Sequence, residues 1–224
     1  MGNLTLADYK AAVNQKMEEI GTYVHFSGTN GIATVVSSIN KAARRVAAET
    51  KCILKKTTFT TVANTREYNL PSDYYIYEGD ITETSTGNRV KFAEVDKLDW
   101  TSSTGEPESF YVLCTLIAAT TLAVAYTKQQ IGFNPMPSAV YTEQMFYFAL
   151  PRTMSVDADT CDIPDKYQDL VTAKSTAELL RIDRRYAEAQ AFEQEVPKMV
   201  VDTEMVEEPT GVVSVRNVVF DPND

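Results

Sequence analysis

The chain has 224 residues, of which 44% are hydrophobic and 23% charged, the balance of an ordinary globular protein long enough to bury a sizeable core. Its 31 acidic and 21 basic residues give a net charge of -10, which excludes a protein that wraps nucleic acid by neutralising phosphates. Such a charge still suits a passage through which DNA slides without sticking. The three cysteines are dispersed and form no CxxC pattern, so we expect no disulfide framework and a reducing compartment.

Two amphipathic helices are predicted at the start of the chain. Apolar residues recur at steps of three and four over 6–24, and Thr5 with Asp8 resembles a capping box. A second helix is predicted over 31–50, with Asn30 as its cap. The two apolar stripes consist of Leu6, Tyr9, Val13, Met17, Ile20 and Val24, then Ile32, Val35, Val36, Ile39, Ala43, Val46 and Ala47.

Residues 53–150 change to short runs rich in Thr, Val, Tyr and Phe, which favour strands. Segment 69–73 predicts a turn with Pro71 at its corner, and 86–88 predicts a hairpin tip. Separate strands are expected at 122–127 and 130–133. We expect a mostly antiparallel sheet of six or more strands, whose order the pattern does not give.

Helical periodicity returns over 164–180 and 183–197, with Pro164 in the first turn and Pro197 ending or kinking the last helix. The predicted fold class is α+β. It is a four-helix bundle of two N-terminal and two C-terminal helices, with an inserted β domain and an extended C-terminal tail. The expected divisions are 1–52 and 151–200 for the helices, 53–150 for the β domain and 201–224 for the tail.

The sequence contains few of the motifs that indicate catalytic chemistry. His25 is the only histidine, no GxSxG elbow occurs, and neither GxGxxG nor GxxxxGK[ST] is present. The densest carboxylate group, at 157–165, lacks the glycine and glutamate that a calcium loop requires at its sixth and twelfth positions. A solvated loop before a helix N-terminus is the favoured interpretation. We therefore predict no catalytic residue, no cofactor and no metal site.

The C-terminal tail is strongly β-prone. Exposed and unpaired, such a segment invites edge pairing and aggregation. The residues leave two interpretations open, a last strand of the protein's own sheet or an arm that adds to a partner's sheet. Its apolar residues are Val206, Val212, Val213, Val215, Val218, Val219 and Phe220.

Seven segments in order along the chain give it a resemblance to a known family. They are LTLADY at 4–9, INKAARR at 39–45, EYNLPSDY at 67–74, GEPESFY at 105–111, IGFNPMP at 131–137, IPDKYQDL at 163–170 and RRYAEAQAF at 184–192. With them the chain resembles the head-to-tail adaptor proteins of tailed phages, in the form with a β domain inserted in a helical bundle. Segment 113–126 is longer than the hairpin expected there.

The resemblance implies a homo-oligomeric ring, usually a dodecamer, under the portal in the neck of the virion, assembled in the host cytoplasm. Tail or nozzle proteins would bind below, and DNA would pass through the lumen without specific binding; no membrane is involved. In such a ring Arg44, Arg45, Arg184 and Arg185 are candidates for pairs with acids of the next subunit, although the residues alone favour a solvated helix face. The tail would be an arm, with the portal as its expected acceptor.

Two other functions stay open at this point. One is a metal-dependent hydrolase that uses the loop at 157–165, which predicts activity lost on replacing Asp159 and Asp162. The other is a non-viral interaction module, which predicts a monomer at high concentration.

Overall fold

The computed structural model describes residues 3–19, 26, 28–98, 103–117 and 126–193. Within them the helices are α1 (Leu6–Glu19), α2 (Gly28–Thr50), α3 (Gln168–Ile182) and α4 (186–193). The strands are β1 (Leu54–Thr60), β2 (Glu67–Asn69), β3 (Tyr74–Glu83), β4 (Arg89–Phe92), β5 (Thr104–Gly105), β6 (Ser109–Ile117), β7 (Tyr126–Asn134), β8 (Met136–Pro137) and β9 (Thr142–Ala149). The predicted α+β class is confirmed.

The first helix begins at the predicted capping box. The backbone N–H and the hydroxyl of Thr5 donate to Asp8 Oδ2 at 2.9 and 2.7 Å, and the Asp8 N–H donates back to Thr5 Oγ1 at 3.3 Å. These bonds satisfy donors that a helix start leaves without partners. The apolar stripe of α1 is buried from Leu6 to Met17. The predicted continuation over 20–24 lies outside the described residues.

Helix α2 begins at Gly28, earlier than predicted, so Asn30 lies inside the first turn and its assignment as the cap is wrong. The first N–H groups of any helix have no partner within the helix. Beginning α2 with Gly-Thr-Asn therefore costs the helix little stability. A Cβ at Gly31 would collide with the backbone of Phe26, so this close crossing requires glycine. Ile32 is 48% exposed, and from Val35 onward the predicted stripe is buried except for the half-buried Val36.

A seven-stranded mixed sheet forms from the described strands in the order β1-β9-β3-β4-β6-β7-β2. All neighbours pair antiparallel except β4 and β6, which are parallel. Strands β5 and β8 form a separate parallel pair. The predicted turn at 69–73 is present between β2 and β3. The predicted hairpin tip joins β3 to β4, with Gly87 at φ 75°.

Strands β6 and β7 form a long antiparallel pair that runs from Ser109 opposite Asn134 to Ile117 opposite Tyr126. The expectation of separate strands at 122–127 and 130–133 is wrong for the described part, because residues 126–134 are one continuous strand. Their partner β6 is equally long and keeps them extended. Residues 118–125 lie outside the described residues.

The C-terminal helices start later than predicted. A 3-10 turn at Asp165–Tyr167 follows Pro164, and α3 begins only at Gln168. Arg184, with φ 62°, lies in a turn, so α4 starts at 186 and not at 183. Tyr186 of the predicted stripe is 65% exposed, whereas Ala189 is buried. The predicted residues 194–197 lie outside the described part.

Helix α3 contacts both α1 and α2, and α1 also contacts α2. Buried side chains from these helices and from the sheet form one continuous hydrophobic cluster, which includes Tyr9, Ile39, Leu180, Phe110 and Met145. The four-helix bundle and the domain divisions stay predictions. Within the described residues, no helix has the length and apolar character needed to cross a membrane.

Candidate partner-binding surfaces

The four arginines proposed for subunit contacts differ in their surroundings. Arg45 lies 3.8 Å from Glu178 on α3, and Arg185 pairs with Glu188 on α4. Arg184 is exposed in the turn between α3 and α4. Arg44 is also exposed, and its Nη2 donates to the neutral hydroxyl of Thr153 at 2.8 Å. Two of the four are therefore held by glutamates of their own chain.

Arg44 lines a cleft of about 360 Å³ between the helices and the sheet. Four separate parts of the chain build it, namely α2, the start of β1, the turn before β3 and the segment that follows β9. We call it the junction cleft, and its lining residues are Arg44, Lys55, Ser72, Asp73, Leu150, Pro151, Arg152, Thr153 and Asp162.

Both carboxylates of the junction cleft are engaged by cations of the same chain. Lys55 Nζ lies 2.6 Å from Asp73 Oδ2, and the Tyr147 hydroxyl donates to Asp73 Oδ1 at 3.0 Å. Burial raises the pKa of Asp73, but these two hydrogen bonds outweigh it and the pKa is lowered. Asp162 accepts the backbone N–H of Arg152 at 3.0 Å, and its other oxygen lies 3.4 Å from Arg152 Nε. With three cations and two anions, the cleft is locally positive on an acidic protein.

A pair of glutamates lies near the opposite end of the same strands. Glu83 on β3 is directly opposite Glu143 on β9, and both residues are almost completely buried. Glu83 accepts hydrogen bonds from the backbone and hydroxyl groups of Ser85 and Thr86 at 2.5–3.1 Å. These bonds lower its pKa to about 2.

Glu143 has no such support, because neither carboxyl oxygen has a hydrogen-bond partner among the described residues. Burial, followed by the charges of Glu83 and Glu106, raises its pKa to about 7. A buried carboxyl group without donors favours its neutral form. Glu143 is therefore a protonated or partly protonated acid at neutral pH.

The carboxylates at 157–165 support the loop itself. Asp157 pairs with Lys10 at 2.6 Å, and Asp159 Oδ2 accepts the N–H groups of Ser155 and Val156 at 2.6 and 2.9 Å. These backbone bonds lower the pKa of Asp159. No group of three His, Cys, Asp or Glu residues suited to a metal occurs in the part of the chain that the structure describes. The hydrolase interpretation gains no support from this loop.

The remaining positions considered from the sequence are free cysteines or lie outside the described residues. Cys52 and Cys161 are free thiols whose pKa values are raised by burial. His25 and all seven apolar arm residues, from Val206 to Phe220, lie outside the described residues. The role of the arm stays a prediction.

Sequence reasoning did not identify the junction cleft or the glutamate pair. The cleft collects residues from distant segments, so no local pattern marks it. The sequence does contain a signal for Glu143, because Glu143 alternates along β9 with the same buried face as Met145 and Tyr147. An acid at an inward strand position indicates a buried carboxyl group once the phase of the strand is known.

Comparison with known proteins identifies the family. No curated protein matches the chain. The family model described as SU10 adaptor protein matches residues 4–213, nearly the whole chain. The chain therefore belongs to the SU10 adaptor protein family and is a structural, adaptor-type protein of a bacteriophage, a component of the virion.

Proposed function

We propose that this protein is a head-to-tail adaptor that forms a closed dodecameric ring between the portal and the tail of a phage. The observation that carries the proposal is the family match over residues 4–213. The portal binds above the ring, tail or nozzle proteins bind below it, and DNA passes through the lumen. The C-terminal arm docks to the portal, and the four helices form the bundle through which subunits meet.

The charge of the chain supports the passage of DNA. A net charge of -10 makes general attraction to phosphates weak, so DNA meets little friction in a lumen built from such subunits. A channel also requires cyclic symmetry with head-to-tail contacts, in which two different faces of each subunit meet. The locally positive junction cleft and the excess of acids elsewhere provide faces of opposite sign.

Electron microscopy of the purified chain mixed with the portal of the same phage tests this function. The expected result is a closed ring seated on the portal, with an open lumen and rotational symmetry, absent from images of the portal alone. A chain that remains a monomer or a two-fold dimer, both alone and with the portal, contradicts the proposal. The same images give the number of subunits.

A further inference from the structure

We propose that the junction cleft binds a carboxylate side chain of the adjacent subunit and that Arg44 is the residue that recognises it. The inference rests on the proposed ring. It separates Arg44 from the other three arginines, which sequence reasoning treated as equivalent.

Ion pairs inside the cleft involve two of its three cations. Lys55 is paired with Asp73, and Arg152 is paired with Asp162. Each carboxylate has a second donor as well, the Tyr147 hydroxyl and the Arg152 N–H respectively. Among the described residues, the side chain of Arg44 has only the neutral Thr153 as a hydrogen-bond partner. One positive charge of the cleft is therefore not balanced within it.

The geometry of an arginine side chain suits a carboxylate ligand. A guanidinium group carries five N–H donors in a planar fork that matches both oxygens of a carboxylate. Arg44 uses Nη2 for Thr153, which orients the group at the cleft while leaving other donors for a ligand. The cleft volume of about 360 Å³ admits a side chain with part of its backbone.

The composition of the chain points to a carboxylate of a second copy as the ligand. A second copy of this chain is rich in acids, with 31 against 21 basic residues, so head-to-tail contacts bring acids to a basic cleft more readily than bases. Asp73 and Asp162 already line the cleft and disfavour the close approach of a polyanion such as DNA. A single carboxylate inserted beside Arg44 fits this mixed charge better.

Matched neutralisation of two adjacent arginines tests the proposal. Arg44→Gln should weaken self-association by roughly tenfold or more, because it removes one partner of a partly desolvated charge pair. Arg45→Gln removes the same charge from the next position of α2 and should weaken it by less than about threefold, as expected for an exposed contact. Arg44→Lys keeps the charge but not the fork and should lie between them. Sedimentation over a range of concentrations, with and without the portal, measures association, and circular dichroism checks the fold.

A photo-crosslinking residue in place of Thr153 identifies the occupant. In a mixture of isotopically light and heavy protein, we expect crosslinked peptides that join the two isotopes, with the attached segment containing Asp or Glu. Equal effects of Arg44→Gln and Arg45→Gln, or crosslinks only to the same chain, the portal or DNA, overturn the inference but leave the proposed ring standing. A wild-type chain that forms no ring alone or with the portal overturns the proposed function itself.

Discussion

Two glutamates that face each other across β3 and β9 have opposite electrostatic surroundings. Glu83 is surrounded by donors from Ser85 and Thr86, so its carboxylate holds the turn that leads to the β3–β4 hairpin tip. Glu143 is equally buried but has no hydrogen-bond donor among the described residues. The ionised Glu83 makes ionisation of Glu143 less favourable still. The pair therefore makes the stability of the folded protein depend on pH.

The first prediction follows from the raised pKa of Glu143. This pKa rises from 4.5 to about 7 on folding, so the folded state binds the proton more tightly than the unfolded state. The stability that Glu143 contributes is complete below pH 4.5 and is lost as the pH rises through 7. Glu143→Gln, which cannot ionise, should become more stable relative to the wild type by on the order of 2 kcal/mol when the pH rises from 5 to 8.

Urea unfolding of both proteins at pH 5 and pH 8 measures this change. The comparison across pH cancels the constant cost of burying the Gln amide. Glu106→Gln is the matched control, because Glu106 is exposed and its charge contributes least to the raised pKa of Glu143. A difference between Glu143→Gln and the wild type that is the same at both pH values would show that Glu143 is ionised throughout.

At the scale of elements, α2 holds the segment that follows β9. The Asn40 side chain donates Nδ2 to the Met154 carbonyl at 2.9 Å, and its Oδ1 accepts the Met154 N–H at 2.8 Å. One turn later Arg44 binds Thr153. Helix and strand segment are thus joined by polar contacts on one side of the junction cleft, so the cleft depends on this join.

The second prediction is that Asn40→Ala destabilises the protein by about 2 kcal/mol, because it leaves both backbone groups of the buried Met154 without their partners. Thr34→Ala on the same helix is the control. Within the described part of the chain, its hydroxyl bonds only to the Asn30 carbonyl of its own helix, so the change should be about 0.5 kcal/mol or less. Thermal or urea unfolding measures both variants, and similar values for the two would contradict the role of Asn40.

Local signals were sufficient to predict several elements. The Thr5–Asp8 box and the hairpin at Gly87 depend on neighbouring residues only, and both are confirmed. The order of the sheet could not be predicted, because β9 inserts between β1 and β3 from far along the chain. The parallel pairing of β4 with β6 likewise depends on non-local contacts. Helix starts at 28, 168 and 186 depended on turn and packing details that periodicity does not contain.

At the scale of the whole molecule, the candidate sites also divide into features visible in the local sequence and features that depend on the tertiary structure. The arginines at 44 and 45 were visible as a basic pair in the sequence. Only the tertiary structure distinguishes them, since Arg45 approaches Glu178 and Arg44 reaches the junction cleft. The acidic C-terminal segment was also visible, with six acids and one base between 202 and 224. From the residues alone, its apolar centre could pair either with the protein's own sheet or with a partner.

The last prediction concerns that segment. Deletion of residues 205–224 should leave the helical circular dichroism and the unfolding temperature unchanged but abolish docking to the portal. An arm that adds a strand to a partner's sheet gains main-chain hydrogen bonds and inserts alternate side chains such as Val213 and Val215 into pockets. Repetition around a ring multiplies a weak contact through avidity, which offsets the entropy lost when each arm is ordered.

Variants of the full-length chain test whether docking depends on strand pairing by the tail or only on the presence of the tail. The double variant Val213→Pro and Val215→Pro lacks two backbone donors and should also fail to dock. The double variant Glu207→Gln and Glu208→Gln should dock normally. It should be less soluble, because these acids discourage self-pairing of the arm. Co-sedimentation with portal particles measures docking. Unfolding of the truncated protein would assign the segment to the protein's own core, and normal docking of a folded truncation would exclude the arm as the portal contact.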